Sequence, residues 1–442
     1  MKSKKIHFIA IGGAAMHNIA LDMKAQGYEV SGSDDEIYEP SLSRLKQAGI
    51  APEEYGWFPE RIQQDIDIVI LGMHAKADNP ELLKAKDLQL KIFSYPEFIF
   101  IHSKNKKRVV VAGSHGKTTT TAMILHVLKK CGISFDFLVG AQLDGFDRMV
   151  QLTDAPVIVI EGDEYLSSPI DRVPKILHYK PHIAVVTGIA WDHINVFPTF
   201  DIYKEQFLKF VDTIDTDGVL IYYQHDEHLK SIVDQRPKLP KVSYQSLSRE
   251  ASDVSFQNQL YPVSVIGDHN FQNMNAARLV CLQLGITNES FFDAINDFKG
   301  ASKRLQKLSE SGERTVYLDF AHAPSKVKAT TDSVKQWFDG QKLLAVLELH
   351  TFSSLNQSFI PEYYEALNAA DKAIVFFNIH TLKMKNMPDL DEKFIMDSFG
   401  HPSLMVFTDE KLLFTFLSSD DYLEYNILLM TSGNFNKMSL EF

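Results

Sequence analysis

A run of apolar and β-branched residues, Arg108 to Ala112 (RVVVA), passes into Gly113-Ser114-His115-Gly116-Lys117-Thr118-Thr119-Thr120-Thr121 and then into a helical stretch, Ala122 to Lys130. The order strand, glycine loop, helix constrains this chain more than any other feature. Backbone N–H groups of such a loop and of the helix N-terminus cradle phosphate oxygens, the lysine adds a point charge, and the threonine hydroxyl suits Mg²⁺. Gly113, Ser114, His115, Gly116, Lys117, Thr118 and Thr119 are therefore candidate phosphate-binding residues. The spacing departs from the common GxxxxGK[ST] form, since Val111 stands where its first glycine would be. A chance strand–helix turn is the competing reading, and it leaves the flanking strand and helix unaccounted for.

A phosphate loop needs acidic help for its metal. The next buried-looking strand, Val157 to Ile160, runs into Glu161-Gly162-Asp163-Glu164, and a carboxylate at a strand's carboxyl end is placed to ligate Mg²⁺. The strand after that, Ile183 to Thr187, leads to Trp191-Asp192-His193. Each alone reads equally well as a surface loop. Together behind one phosphate loop they favour a site, with Glu161 and His193 as candidates.

The N-terminal residues repeat the alternation. Ile6 to Ile11 reads as a strand, Gly12-Gly13 as a turn, Met16 to Met23 as a helix, and Tyr28 to Gly32 as a second strand ending at Ser33-Asp34-Asp35. An acid at that point of a dinucleotide fold binds a ribose hydroxyl. The third glycine of GxGxxG is missing, so nucleotide or nucleotide-sugar binding and a bare structural turn both stay open. Ile66 to Leu71 is a further strand, with His74 and Asn79-Pro80 just past its carboxyl end, where ligand contact competes with turn or cap roles.

With 442 residues the chain is long enough for two to four domains. The basic run Lys104 to Arg108 is the expected first boundary and reads as a solvated linker. From about Leu305 the alternation resumes, with strands expected at Val316–Phe320, Leu343–Leu347, Ala373–Phe377 and Ile427–Met430 and helices between them. Forty-five basic against 57 acidic residues give a net charge of −12, the wrong sign for a main affinity toward nucleic acid, so any anionic ligand must be held locally. Two widely separated cysteines, Cys131 and Cys281, support neither a disulfide framework nor a zinc site and point to a cytoplasmic setting. The apolar start is broken by Gly12, Gly13, His17 and Asn18, and no uninterrupted apolar run reaches spanning length, so no membrane association is expected.

Taken in order, GGAAM, GSHGKTTTT, EGDEY and WDH resemble the Mur ligase family, the ATP-dependent amide-forming enzymes of bacterial peptidoglycan metabolism. The likeness continues through Gly267-Asp268-His269-Asn270-Phe271-Gln272-Asn273 with Ala276-Ala277, through Phe298-Lys299-Gly300 with Lys303-Arg304, and through Asp319-Phe320-Ala321-His322-Ala323-Pro324. The resemblance implies a three-domain α/β protein. A Rossmann-like domain (residues 1–104) would bind a UDP-sugar, a central P-loop ATPase-like domain with a mostly parallel sheet (105–304) would bind ATP, and a C-terminal Rossmann-like α/β domain (305–442) would bind the acceptor. It places His269, Asn270 and Asn273 near the adenine, and Arg304 and Asp319 against ATP from the linker and third domain. Gly12, Gly13, Ala14, Met16, Ser33, Asp34 and His74 would contact the UDP-sugar, and His322, His350 and Ser353 the acceptor.

Within the family, Ser31-Gly32-Ser33-Asp34 with Tyr38-Glu39-Pro40, the stretch His178 to Pro181, and Asp192-His193 with Val196-Phe197-Pro198 look most like the branch that joins UDP-N-acetylmuramate to a murein tripeptide in recycling. The branch that adds L-alanine is the alternative. Where other branches carry a carbamylated lysine this chain has Phe207, and Lys204 and Lys209 read as solvated helix residues.

Two departures stand out. After Val346-Leu347-Glu348 comes Leu349-His350-Thr351-Phe352-Ser353-Ser354, without the arginine that would bind the acceptor carboxylate, and Ala323 replaces a second histidine. The family reaction implies attack of a carboxylate on the γ-phosphate, an acyl phosphate, and capture by an amine. Lys117 would then act on the γ-phosphate, Thr118 and Glu161 on Mg²⁺, and His193 on a second Mg²⁺ or the acyl phosphate. A nicotinamide-dependent oxidoreductase explains only the first βαβ unit, and a silent nucleotide-binding member of the family is kept open by the missing arginine.

Overall fold

The computed structural model describes residues 4–191, 196–250, 253–301, 304–311, 314–419 and 422–435. The fold is a three-domain α/β architecture with mostly parallel sheets, and its contacts form two compact units. One unit carries the two N-terminal sheets and the other the two C-terminal ones.

The first sheet has four parallel strands in the order Glu29–Ser33, Lys5–Ile9, Ile68–Leu71, Ile92–Ser94. The first strand is shorter than the expected Ile6 to Ile11. Ala10 already adopts a φ of 68°, and the N–H groups of Ala10 and Ile11 both donate to Ser33 O, so the chain leaves the ladder before the glycines.

Seven strands make the second sheet, in the order Lys241–Tyr244, Val219–Tyr223, Ile183–Val186, Lys107–Ala112, Val157–Glu161, Phe135–Leu138, Val150–Gln151; only the last pair is antiparallel. Its central strands are buried except at Lys107 and Glu161 on their ends, as expected of near-continuous apolar runs covered by helices on both faces. The helix Ala14–Ala25 joins the two sheets into one unit. Asp22 accepts from Leu152 N at 2.9 Å and pairs with Arg148 at 3.2 Å, and Asn18 accepts from Met149 N.

The basic run Lys104 to Arg108 is not a solvated linker. Lys104 and Lys107 are exposed, but Lys106 and Arg108 are buried, and each finds several acceptors. Lys106 Nζ donates to Asp136 Oδ2 at 2.6 Å and Ala155 O at 3.1 Å, while Arg108 donates to the carbonyls of Tyr179, Lys180 and Ser103. A buried cation is tolerated only when paired in this way.

In the second unit six strands run in the order Gln306–Ser311, Arg314–Asp319, Tyr425–Met430, Lys342–Glu348, Lys372–Phe376, Leu404–Phe407, parallel except for the first pair. The four strands expected there are present with small shifts. The edge strand Gln306–Ser311, and a three-stranded antiparallel sheet spanning Ser248–Glu250, Asp253–Phe256 and Gln259–Tyr261, carry no comparable apolar signal, whereas the other edge strand, Leu404–Phe407, is a short apolar run.

Candidate active site

Sheet order builds the phosphate loop's surroundings. The strand Lys107–Ala112 lies between Val157–Glu161 and Ile183–Val186, so the loop after it faces the acidic segment that follows one neighbour and Thr187 after the other. Gly113 has a φ of 125°, and a Cβ there would stand 2.2 Å from Thr187 Oγ1 and 2.8 Å from Thr187 N. Only glycine fits that approach. Val111, at the place of the usual first glycine, is a buried strand residue, and the tight turn falls instead on Gly113 and on Gly116 with its φ of 73°. The helix Lys117–Lys130 starts directly after it.

Lys117 Nζ donates to Gly113 O at 2.6 Å and pairs with Glu164 Oε2 at 3.0 Å, and Glu164 is almost fully buried. Burial alone would lower the lysine's pKa. Glu164, Asp163 and Glu161 outweigh it and raise the pKa, so the ammonium stays charged. The Thr118 hydroxyl donates to Glu161 Oε1 at 2.6 Å, and Gly140 N donates to Glu161 Oε2 at 2.8 Å. Thr118 and Glu161 are thus brought together as the sequence suggested. Asp163 is paired with Lys175; burial pushes its carboxyl up, but the Lys175 ammonium overrides this and holds it at about 2. Ser114 and Thr119 are buried in the loop and first helical turn, while His115 and Gly116 are half-buried. Asp192 and His193 lie outside the described residues.

Sequence reasoning singled out Glu161 in EGDE and passed over Glu164, the partner of Lys117. It also passed over Tyr203, whose hydroxyl donates to Glu164 Oε1 at 2.8 Å and lies 2.9 Å from Ser114 Oγ. The helix Phe200–Asp212 shows only an amphipathic pattern, with Tyr203, Phe207 and Phe210 buried on one face, so nothing local distinguishes that tyrosine from packing. Lys204 and Lys209 are solvent-facing and pair with Asp201 and Glu205.

In the first sheet the glycine turn is closed by Asp34. Its Oδ2 accepts from Gly12 N at 2.7 Å and its Oδ1 from Asp35 N at 3.0 Å. Burial pushes this carboxyl up to about 6, with Asp35 adding to the shift. Ser33 Oγ accepts from Arg61, Gly13 and Ala14 open the helix, and Met16 is buried behind it. His74 is exposed in the turn after the third strand, and Asn79 caps the helix Pro80–Asp87 through Glu81 N and Leu82 N. Apart from the phosphate loop, Glu97, Asp171 and His178 hold three ligand-type atoms within 4.8 Å of one another. Asp171 and His178 pair at 2.8 Å and Glu97 caps its own helix at Ser94, so we assign the cluster no metal role.

In the second unit His269 Nδ1 lies 3.0 Å from Ser333 Oγ, and loss of solvent lowers its pKa against the pull of Asp319 and Asp268. Asn270 and Asn273 are buried on the same helix start, with Asn270 Nδ2 donating to Ile266 O. Asp319 accepts from Leu305 N at 2.6 Å and Ala321 N at 2.7 Å, and Arg304 stacks over the Phe320 ring. Lys303 is outside the described residues. His322 is half-buried beside Phe320 O. Where the arginine is missing, His350 Nδ1 stands 3.8 Å from Glu348 Oε1. The turn Thr431–Asn434 packs on both, since Thr431 Oγ1 donates to Glu348 and a Cβ on Gly433 would meet Glu348 Oε2 and His350 Cγ at 2.9 Å. Ser353 sits in the following turn, partly exposed.

Three consecutive stretches match known families: residues 5–107 the Mur ligase family, catalytic domain; 111–281 the Mur ligase middle domain; and 303–420 the Mur ligase, glutamate ligase domain. Among curated relatives, the chain is 33% identical over 401 residues to the UDP-N-acetylmuramate–L-alanine ligase of Caldicellulosiruptor bescii, covering 87% of this chain and 85% of the relative. Against the ligase of the same name from Carboxydothermus hydrogenoformans it is 28% identical over 463 residues, covering 99% and 96%. Among solved structures, the UDP-N-acetylmuramate:L-alanyl-γ-D-glutamyl-meso-diaminopimelate ligase of Neisseria meningitides is 27% identical with a TM-score of 0.61, covering 67% of this chain and 98% of that one. The UDP-N-acetylmuramate–alanine ligase of Thermotoga maritima, at 22% identity and a TM-score of 0.70 over 98% and 97%, shares the fold. Domain matches along nearly the whole length, together with identity of this extent, establish that the chain belongs to the Mur ligase family of ATP-dependent ligases.

Proposed function

We propose that this ligase uses ATP to activate the lactyl carboxylate of UDP-N-acetylmuramate as an acyl phosphate and captures it with the amine of L-alanine. The carrying observation is the pairing of Lys117 with Glu164 and of Thr118 with Glu161 behind one glycine loop. In this reading Lys117 meets the γ-phosphate and the charge that develops on transfer, and the loop N–H groups orient the remaining phosphate oxygens. Thr118 and Glu161 offer the hard oxygen donors that suit Mg²⁺, and would hold it. When bound, Mg²⁺ supplies charge neutralisation for the phosphates. Gly12, Gly13, Ala14, Met16, Ser33, Asp34 and His74 are proposed for the UDP-sugar, and His269, Asn270, Asn273, Arg304 and Asp319 for ATP. His322, His350 and Ser353 are proposed for the acceptor, and the working domain map divides the chain near residues 104 and 305. A cytoplasmic setting is proposed from the two free cysteines.

The names of the curated relatives favour L-alanine as acceptor over the murein tripeptide. The tripeptide remains the second reading, supported by the three stretches that resemble the recycling branch and by the likeness to the Neisseria enzyme. Either acceptor presents a carboxylate that His350 would meet in place of an arginine.

The test is a side-by-side assay of phosphate release and product mass with UDP-N-acetylmuramate, ATP and either acceptor. Faster amide formation with L-alanine is expected. Faster turnover with the tripeptide transfers the proposal to the second reading, and turnover with neither refutes the donor assignment.

A further inference from the structure

The helix Phe200–Asp212 buries Tyr203, Phe207 and Phe210 on one face, and the Tyr203 ring packs edge-on against Phe207 with centroids 5.3 Å apart. Phenylalanine would serve this packing equally well. A buried phenol adds a hydroxyl whose desolvation must be compensated by hydrogen bonds, so the choice of tyrosine requires a reason beyond burial.

That reason lies in an ordered chain of hydrogen bonds. Ala190 N–H donates to Ser114 Oγ at 2.8 Å, which obliges the Ser114 hydroxyl to point its own proton elsewhere. Tyr203 Oη is 2.9 Å away. The Tyr203 proton goes to Glu164 Oε1 at 2.8 Å, because the carboxylate facing the Lys117 ammonium is an acceptor. Ser114 therefore donates to Tyr203, and every link has one direction. The chain ends at Lys117, held at 3.0 Å by the other oxygen of the same carboxylate and at 2.6 Å by Gly113 O. The hydroxyl thus ties the glycine loop, through Ser114, to the carboxylate that sets the lysine's position. Networks of this kind fix a charged side chain because each member is satisfied only in one arrangement.

We propose that Tyr203 is a positioning residue for the phosphate loop: its hydroxyl holds Glu164 and Ser114 so that Lys117 is presented to the terminal phosphate of a bound triphosphate. The proposal rests on the reading of Lys117 as the γ-phosphate ligand, and deepens it. A lysine aimed at the γ-phosphate matters for the triphosphate and for the transfer step, and little for the diphosphate.

Tyr203→Phe keeps the ring and removes the hydroxyl. Loss of a hydrogen bond to a charged group corresponds to about a tenfold effect, so affinity for a non-hydrolysable ATP analogue should fall about tenfold by calorimetry. Affinity for ADP should stay within about twofold, since no bond to the diphosphate is removed. In turnover, kcat should fall by a similar factor with the KM for UDP-N-acetylmuramate unchanged. Ser114→Ala cuts the same chain from the loop side and should show the same selective loss, which keeps the test available should Tyr203→Phe not fold. Equal weakening of ATP analogue and ADP, or weakening of neither, overturns the positioning role. The binding measurements need no sugar nucleotide. If the variants show this selective loss while the wild-type protein shows no ligase turnover, the proposed reaction falls and the role of Tyr203 stands.

Discussion

The Thr118 hydroxyl, in the first turn of the helix Lys117–Lys130, donates a 2.6 Å hydrogen bond to Glu161 Oε1 at the end of the strand Val157–Glu161, while Gly140 N donates to the carboxylate's other oxygen. One carboxylate thereby spans the start of the phosphate-loop helix and the end of its neighbouring strand. Both oxygens are directed by protein donors, so the group is oriented before any ligand arrives.

Replacing that carboxylate should act on metal use first. Glu161→Gln keeps an oxygen toward Thr118 but removes the charge, and under the proposed role as a direct ligand its loss should matter at least as much as that of outer-shell partners, which costs about 10- to 100-fold in metal affinity. The Mg²⁺ concentration for half-maximal turnover should rise by about 100-fold or more. An unchanged Mg²⁺ titration would remove Glu161 from the metal site.

Lys117 and Glu164 are expected to separate stability from activity. Lys117→Met leaves an almost fully buried carboxylate uncompensated, which costs about 3 kcal/mol by the behaviour of broken buried pairs. Adding Glu164→Gln removes the stranded charge and should restore most of the melting temperature. Substrate-dependent phosphate release should be lost in the single and the double variant alike. Near-normal release from Lys117→Met would refute the phosphate-loop assignment.

Asp34 carries a sign that can be measured. Its folded-state pKa of about 6 lies above the ordinary carboxyl value, so the native state binds the proton more tightly than the unfolded chain. This group's contribution therefore favours folding at low pH and fades as pH rises from about 4 through 6. The rise from the ordinary carboxyl value to about 6 corresponds to roughly 3 kcal/mol at about 1.4 kcal/mol per pH unit, and on the order of 2 kcal/mol of it falls between pH 4.5 and 7. Urea unfolding at pH 4.5 and 7 should show wild-type losing more stability over that interval than Asp34→Asn. Identical changes in both proteins would count against the buried, proton-holding carboxyl.

The pair Lys106–Asp136 tests the corrected reading of the basic run. Asp136 also accepts from Thr153 N at 2.8 Å and Thr153 Oγ1 at 2.7 Å, so Asp136→Ala strands both a buried ammonium and two donors. A loss of about 3–5 kcal/mol is expected from denaturant melts. Lys107→Ala, on an exposed neighbour in the same run, should change stability by less than about 0.5 kcal/mol. Equal effects would return the run to a solvated linker.

The strand–GSHGKT–helix order was legible because it depends on neighbours in sequence: β-branched runs favour strands, glycines permit the turn, and the lysine and threonine follow within one helical turn. The same holds for the glycine turn after the first strand and for the main parallel strands. Their near-continuous apolar character is the signature of burial on both faces. Edge strands such as Gln306–Ser311 lack that signature and were missed for the same reason.

What local pattern could not decide is which charges meet. Glu164 stands 47 positions from Lys117, and Tyr203 stands 39 from Glu164 and 89 from Ser114. They converge because the strand order sets Val157–Glu161 beside Lys107–Ala112, and the helix Phe200–Asp212 packs its apolar face with one hydroxyl directed at that junction. The burial of Lys106 and Arg108 follows the same logic, since a basic run looks solvated until the fold supplies its acceptors. Short-range spacing thus determined the elements and the class of chemistry. Long-range strand pairing, driven by burial of the sheet, decided the partners of each charged group, and with them the geometry on which that chemistry depends.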